Sequence, residues 1–177
     1  MSEAAIRALI RDVPDFPTDG IMFKDITPVL SDHAAFEHAL QLMAAPFRDA
    51  GISKVAGIEA RGFVFAAPMA NRMGAGFIPI RKPGKLPREV VEIEYALEYG
   101  TDRIQMHSDG VAAGERVLIV DDVLATGGTA AASIALLREL GAEVVGLSVL
   151  LELGFLDGRR RIRDDVPVHA VVLDGTG

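Results

Sequence analysis

Val117-Leu118-Ile119-Val120-Asp121-Asp122-Val123-Leu124-Ala125-Thr126-Gly127-Gly128-Thr129, running on into Ala130-Ala131-Ala132, is the stretch on which the reading of this chain turns. Four branched or large apolar residues in a row make a strand buried on both faces. Two adjacent carboxylates close it, a glycine-containing loop follows, and Ala130 to Leu140 reads as a helix. The same rhythm extends in both directions. Upstream, Val55 to Ile58 is a short buried strand, Gly62 to Met73 a helix of small residues interrupted by Pro68, and Gly76 to Ile80 a strand. Downstream, Val144 to Leu151 and Val168 to Leu173 are two more strands. Apolar strands interleaved with helices predict an α/β fold, a central and mostly parallel sheet flanked by helices. Ligands of such sheets sit beyond the carboxyl ends of the strands, where Asp121 to Thr129 is expected.

Two regions depart from this rhythm. Near the start, Val13-Pro14-Asp15-Phe16-Pro17-Thr18-Asp19-Gly20 breaks any helix begun at Ser2, and Ile21 to Pro28 is short, apolar and turn-bounded. From Asp32 to Ala50, Phe36, Leu40, Met43 and Phe47 recur at helical spacing, with Pro46 placed to kink or end the helix and Gly51 to cap it. The second departure is Arg88 to Tyr99. Val91, Ile93, Tyr95, Leu97 and Tyr99 alternate with Glu92, Glu94 and Glu98, the pattern of a half-exposed strand. Gly100-Thr101-Asp102 is expected to turn it back toward Ile104 to His107 as a projecting, flexible β-ribbon with few packing partners.

Composition bounds the function. A length of 177 residues, half of them apolar, predicts one domain with an ample core. The net charge of −7 makes nucleic acid a poor partner. The absence of Cys excludes thiolate catalysis, disulfides and Cys-based metal sites. The first fifteen residues lack the apolar core of a signal peptide, and no apolar run reaches the roughly 18 residues of a membrane span. A soluble, cytoplasmic protein is expected.

The chemistry concentrates beside the central strand. Gly127 and Gly128 let backbone N–H groups turn inward. With Ala125, the hydroxyls of Thr126 and Thr129 and a helix amino end, they form a phosphate cradle. Asp121 and Asp122 would repel a phosphate but suit neighbouring hydroxyls, because an ionised carboxylate only accepts hydrogen bonds. Diol acceptors beside a phosphate cradle describe a ribose 5-phosphate site. The pattern is neither a Walker loop nor a dinucleotide turn. Taken alone, Thr126 to Thr129 is no more than a helix cap. Arg61, between Gly57 and Gly62, marks either a second anion site at a helix start or a surface salt bridge. Arg81, Lys82, Lys85 and Arg88 give a positive patch without an acid, read as an anion site or as a solvated loop. Phe23 is either core or a stacking surface. By pattern alone Glu98 is a solvated strand carboxylate. Arg159-Arg160-Arg161-Ile162-Arg163 is basic but flanked by Asp157, Asp164 and Asp165, which argues against nucleic acid there. The four histidines show no paired ligand spacing, so no metal cage is expected.

The acid pair and cradle resemble the ribose-phosphate loop of the type I phosphoribosyltransferases, in the form found in the branch acting on adenine. Phe23-Lys24-Asp25-Ile26-Thr27-Pro28, Glu59-Ala60-Arg61-Gly62-Phe63, Arg81-Lys82-Pro83-Gly84-Lys85-Leu86-Pro87 and Leu97-Glu98-Tyr99-Gly100 stand in the family's order and spacing. The likeness runs from about residue 14 to about residue 153. It implies a single phosphoribosyltransferase domain over residues 1–177, with about the first thirty forming a hood over the base. The implied reaction moves the phosphoribosyl group of 5-phosphoribosyl 1-diphosphate to adenine, giving AMP and pyrophosphate.

The resemblance also implies roles. Asp121 and Asp122 hold the ribose hydroxyls, and Ala125, Thr126, Gly127, Gly128 and Thr129 hold the 5-phosphate. Arg61, Arg81, Lys82 and Lys85 stabilise the pyrophosphate, with Arg61 reaching toward the base. Met22 through its backbone, Phe23 through its ring, Lys24, Val123 and Leu153 form the base pocket. Glu98 is the acid/base partner of the purine and Tyr99 lies on the mobile loop. Mg²⁺ arrives with the diphosphate and has no protein cage. A homodimer is implied by the family alone. A transferase for xanthine or hypoxanthine is the nearest alternative. A noncatalytic sensor of the diphosphate is another, disfavoured because no basic amino-terminal extension is present.

Overall fold

The computed structural model describes residues 2–96, 100–162 and 165–175. Helix α1 (Glu3–Leu9) leads into a short antiparallel pair, β1 (Arg11–Val13) and β2 (Phe23–Asp25), with Val13 opposite Phe23. Then follow α2 (Thr27–Ser31), α3 (His33–Ala44), β3 (Lys54–Ile58), α4 (Gly62–Arg72) and β4 (Gly76–Ile80). The ribbon is β5 (Val90–Ala96) and β6 (Thr101–His107). The chain continues through β7 (Arg116–Leu124), α5 (Gly128–Glu139), β8 (Glu143–Leu153) and β9 (Val168–Asp174).

The central sheet has five strands in the order β4-β3-β7-β8-β9, and every pairing within it is parallel. Alternation along β7 explains the layering. Val117 and Ile119 face a core with Ile134 and Leu137 of α5, whereas Leu118 and Val120 face a second core with Leu40 and Met43 of α3 and Phe65 and Met69 of α4. Helices therefore cover both faces, as the apolar strand runs require.

Local chemistry sets the boundaries. Asp32 caps α3 by accepting the Ala35 N–H at 2.9 Å. The expected helix to residue 50 ends as α-helix at Ala44, and Pro46 lies in a 3₁₀ turn over Ala45–Phe47. Pro68 is carried inside α4. The quoted stretch stays extended longer than expected, because β7 runs through both aspartates to Leu124 and pairs Val123 with Leu151 of β8.

The ribbon differs most from expectation. Thr101 and Asp102, expected in the turn, already belong to the ladder and pair with Ala96 and Tyr95. Nor does the ribbon lack packing partners. Ile104 and Met106 are buried in the core beneath α5, and Val91, Ile93 and Tyr95 pack beside them. An isolated bridge between Arg81 and Gln105 ties β6 to the chain after β4. The apolar face that alternation placed on one strand is matched across the ladder, and burying it accounts for the docking.

Candidate active site

β3 and β7 are neighbours, and strand order reverses between them, with β4 beyond one and β8 and β9 beyond the other. The crevice outside their carboxyl ends is where such a sheet receives a ligand. A cleft of about 600 Å³ opens there, lined by Met22, Phe23, Arg61, Lys82, Asp121, Asp122, Val123, Ala125, Thr129 and Leu153, among others.

On one side stands the acid pair. Asp121 Oδ1 accepts the Asp122 N–H at 2.9 Å. A Cβ on Gly62 would lie 2.8 Å from Asp121 Oδ1 and 3.1 Å from the Val120 carbonyl oxygen, so only glycine lets α4 start this close to β7. Burial, and then the neighbouring Asp122 charge, push the Asp121 carboxyl well above the usual carboxylate range. Asp122 Oδ2 is buried 2.7 Å from Arg61 Nε, yet it receives no aligned hydrogen bond among the described residues. A buried oxygen held by charge with its lone pairs open suits an incoming hydroxyl.

The acids adjoin a smaller pocket of about 90 Å³ lined by Ala125, Thr126, Gly127, Gly128 and Thr129. Gly127 is left-handed at φ 80° and starts α5, and among the described residues no side chain caps that helix. The first N–H groups of α5 are therefore left to a ligand, where the helix dipole favours an anion. The 3₁₀ turn Gly158–Arg161 backs this loop. A Cβ on Gly158 would stand 3.0 Å from the Gly127 nitrogen and 3.1 Å from the Ala125 carbonyl carbon. Arg159 pins the turn: Nε and Nη2 donate to the Glu152 carboxylate at 2.7 and 2.6 Å, and Nη1 to the Val168 carbonyl at 2.9 Å. Arg160 pairs with Asp157, and Arg161 Nη1 donates to the Ala96 carbonyl at 3.3 Å. Arg159 to Arg161 thus brace the cradle from behind, and Arg163 lies outside the described residues.

Across the cleft the wall is apolar. The Phe23 ring meets Phe16 edge-on at 5.0 Å, and the Arg61 guanidinium lies 5.1 Å from its centroid. Met22 is about half exposed, and Val123 and Leu153 complete the wall with Ile21 and Leu156. Lys24 borders the cleft, but its ammonium is directed to Asp12 at 2.8 Å and Asp174 at 2.6 Å. Desolvation lowers its affinity for the proton, and the hydrogen bonds of the two carboxylates outweigh that and leave its pKa raised. It holds β2 in place.

The basic loop divides. Lys82 lines the cleft and is bonded to Asp102. Arg81 and Lys85 do not line it. Arg81 Nε pairs with Glu59 Oε2 at 2.7 Å, its Nη1 donates to the Lys85 carbonyl at 3.3 Å, and its guanidinium sits 5.7 Å from the Phe63 ring. Glu98 and Tyr99 lie outside the described residues. Sequence reasoning missed Tyr95 and Asp102, which join Lys82 to Thr129, and Gly158 behind the cradle. Asp102, Ile104 and Met106 alternate, so the inward placement of Asp102 was open to a register argument. Gly158 carried no such signal. Among the described residues no group of three His, Asp or Glu side chains is placed to hold a metal ion, and no helix is long and apolar enough to cross a membrane.

Comparison with known proteins matches this arrangement. The phosphoribosyl transferase domain matches residues 29–172. The adenine phosphoribosyltransferase of Thermobifida fusca is 58% identical over 155 residues, covering 88% of each chain. The crystal structure of the enzyme of that name from Rhodothermus marinus superposes with a TM-score of 0.95 at 49% identity, covering 97% of this chain and 98% of the other. That from Saccharomyces cerevisiae, complexed with an imino-altritol bisphosphate and adenine, gives a TM-score of 0.90 at 34% identity over 96% and 98%. The matched domain spans the acid pair, the cradle and Arg61, and the relatives cover nearly the whole fold, so the chain belongs to the phosphoribosyltransferase family and, within it, to the adenine phosphoribosyltransferases.

Proposed function

We propose that this chain transfers the 5-phosphoribosyl group of 5-phosphoribosyl 1-diphosphate to adenine, giving AMP and pyrophosphate. One observation carries the reading: the acid pair with its phosphate cradle and the Phe23 wall face each other across a single cleft. The N–H groups and hydroxyls from Ala125 to Thr129 receive the 5-phosphate. Asp121 and Asp122 accept hydrogen bonds from the ribose hydroxyls. The diphosphate then extends toward Arg61 and Lys82, with Arg81 and Lys85 on the adjoining loop. Mg²⁺ enters as part of the diphosphate substrate, bound to phosphate oxygens and water.

Adenine lies against Phe23, Val123 and Leu153. The bond from the anomeric carbon to the diphosphate oxygen breaks, and its electron pair leaves with pyrophosphate. A ring nitrogen of the base closes on the opposite face with its lone pair. Glu98 takes the proton that the imidazole edge of the base gives up as the new bond forms. Fixed cations beside the departing group stabilise charge that develops only in the transition state. The ribbon excludes water, the competing nucleophile. Residues 1–30 act as the hood of a single catalytic unit. A cytoplasmic homodimer is part of the same reading, supported on the dimer side by exposed Phe77 and Val64 beside the edge strand β4.

Incubating the protein with the diphosphate, Mg²⁺ and each of adenine, hypoxanthine and xanthine tests this. AMP formed from adenine, at least about a hundredfold faster per base concentration than the other nucleotides, is the expected result. Turnover of hypoxanthine or xanthine in preference to adenine would overturn it.

A further inference from the structure

The phenol of Tyr95 meets three polar side chains from three elements. Its hydroxyl lies 3.0 Å from Thr129 Oγ1 on α5, 3.2 Å from Asp102 Oδ2 on β6, and 3.4 Å from Lys82 Nζ on the loop after β4. Asp102 in turn binds the Lys82 ammonium. Cross-strand register explains the meeting, because Tyr95 is directly opposite Asp102 on the inward face of the ribbon. The ring is close enough that a Cβ on Gly128 would be 3.4 Å from Tyr95 Cδ2, and the Lys82 ammonium lies 5.9 Å from its centroid. Thr129 and Lys82 both line the cleft, one at the cradle and the other at the diphosphate end.

We propose that Tyr95 and Asp102 are positioning residues of the transfer reaction, which fix the spacing between the 5-phosphate hydroxyl of Thr129 and the pyrophosphate ammonium of Lys82. This rests on the reading above, in which Thr129 and Lys82 contact the two ends of one diphosphate substrate. Hydrogen-bond capacity makes the linkage specific. Ionised Asp102 only accepts, the ammonium only donates, and the tyrosine and threonine hydroxyls each have one proton to give. When Tyr95 donates to Asp102, Thr129 donates to Tyr95. When a phosphate accepts from the Thr129 hydroxyl, the Tyr95–Thr129 bond is kept only with Tyr95 as its donor, which draws the phenol proton from Asp102. Occupation of the cradle therefore changes the hydrogen bonding of the carboxylate that holds Lys82, and the ribbon acts as a gauge across the cleft.

The test is steady-state kinetics on Tyr95→Phe, Asp102→Asn and the double variant. Phenylalanine keeps the ring on α5 and removes only the hydroxyl. Tyr95→Phe is expected to raise the KM for the diphosphate about tenfold, the effect of one lost hydrogen bond, while kcat and the KM for adenine change less than about twofold. The double variant is expected to be no worse than the poorer single one, because both act through one network. Unchanged diphosphate KM in Tyr95→Phe, or effects that multiply in the double variant, would overturn the proposal while wild-type turnover stands. If Asp102→Asn fails to fold, the Tyr95→Phe result decides alone. No AMP from the wild-type protein would overturn the functional reading, and this proposal with it.

Discussion

Replacing Gly158 by alanine adds one carbon behind the cradle and nothing in the cleft. The new Cβ would sit 3.0 Å from the Gly127 nitrogen and 3.1 Å from the Ala125 carbonyl carbon, with the carbonyl oxygen closer still. Gly158 is not among the left-handed glycines, so alanine takes up its backbone freely and the effect is purely one of space. Two backbones have to separate by about 1 Å. The Gly158 turn is held to β8 and β9 by the three hydrogen bonds of Arg159, so the displacement falls on the loop Ala125–Gly127. Overpacking of this kind costs about 2 kcal/mol, a Tm loss of about 4–8 °C in a chain of this size. A reacting group misplaced by about 1 Å loses on the order of a hundredfold in rate. We therefore expect kcat/KM for the diphosphate to fall about a hundredfold, with the KM for adenine within about a factor of two, since the base wall is built on Phe23, Val123 and Leu153 and not on this loop. Gly175→Ala is the control, because nothing lies within 4 Å of its Cβ. A Gly158→Ala protein that melts like wild type and keeps its kcat/KM for the diphosphate would refute the argument that the turn sets the cradle.

Phe23→Ala should raise the KM for adenine about tenfold or more and leave that for the diphosphate nearly unchanged, since base–aromatic stacking is worth about 1–3 kcal/mol. Asp121→Asn should weaken diphosphate binding by about ten- to a hundredfold through loss of a charge-assisted acceptor, measured by titration calorimetry. It should also be more stable than wild type at neutral pH. The folded chain holds the Asp121 proton to higher pH than the unfolded chain does. Raising the pH from the usual carboxylate range through that raised pKa thus favours unfolding, and the wild-type protein loses stability there relative to the variant. Melting both proteins across this range checks the sign. Glu98→Ala should lower kcat by about a hundredfold or more with diphosphate affinity kept, as for a group that acts on the base proton alone.

What the sequence made legible was local. Val117 to Thr129 holds the strand, the acids and the cradle within thirteen consecutive residues, and all of them occupy one strand end and one helix start. Arg61 was placed by the same logic beside β3. The three-residue strands β1 and β2 were too short to show a period. Lys24 read as part of the base pocket and does line the cleft, but that its ammonium is held by Asp12 and Asp174 was not visible in the motif. Tyr95 and Asp102 needed the ribbon register before they met, and Gly158 needed the chain to return to Ala125. Position along the chain finds side chains that share an element; those that act together from separate elements become visible only once packed.

The guanidinium of Arg61 lies over the Phe23 ring, while its Nε stays beside Asp122. On the proposed reading, in which the purine stacks on Phe23, its seat is kept by a tenant from the sugar side. Moving Arg61 away would uncover the aromatic wall and bare an acid in the same stroke, so one side chain ties the two halves of the cleft together.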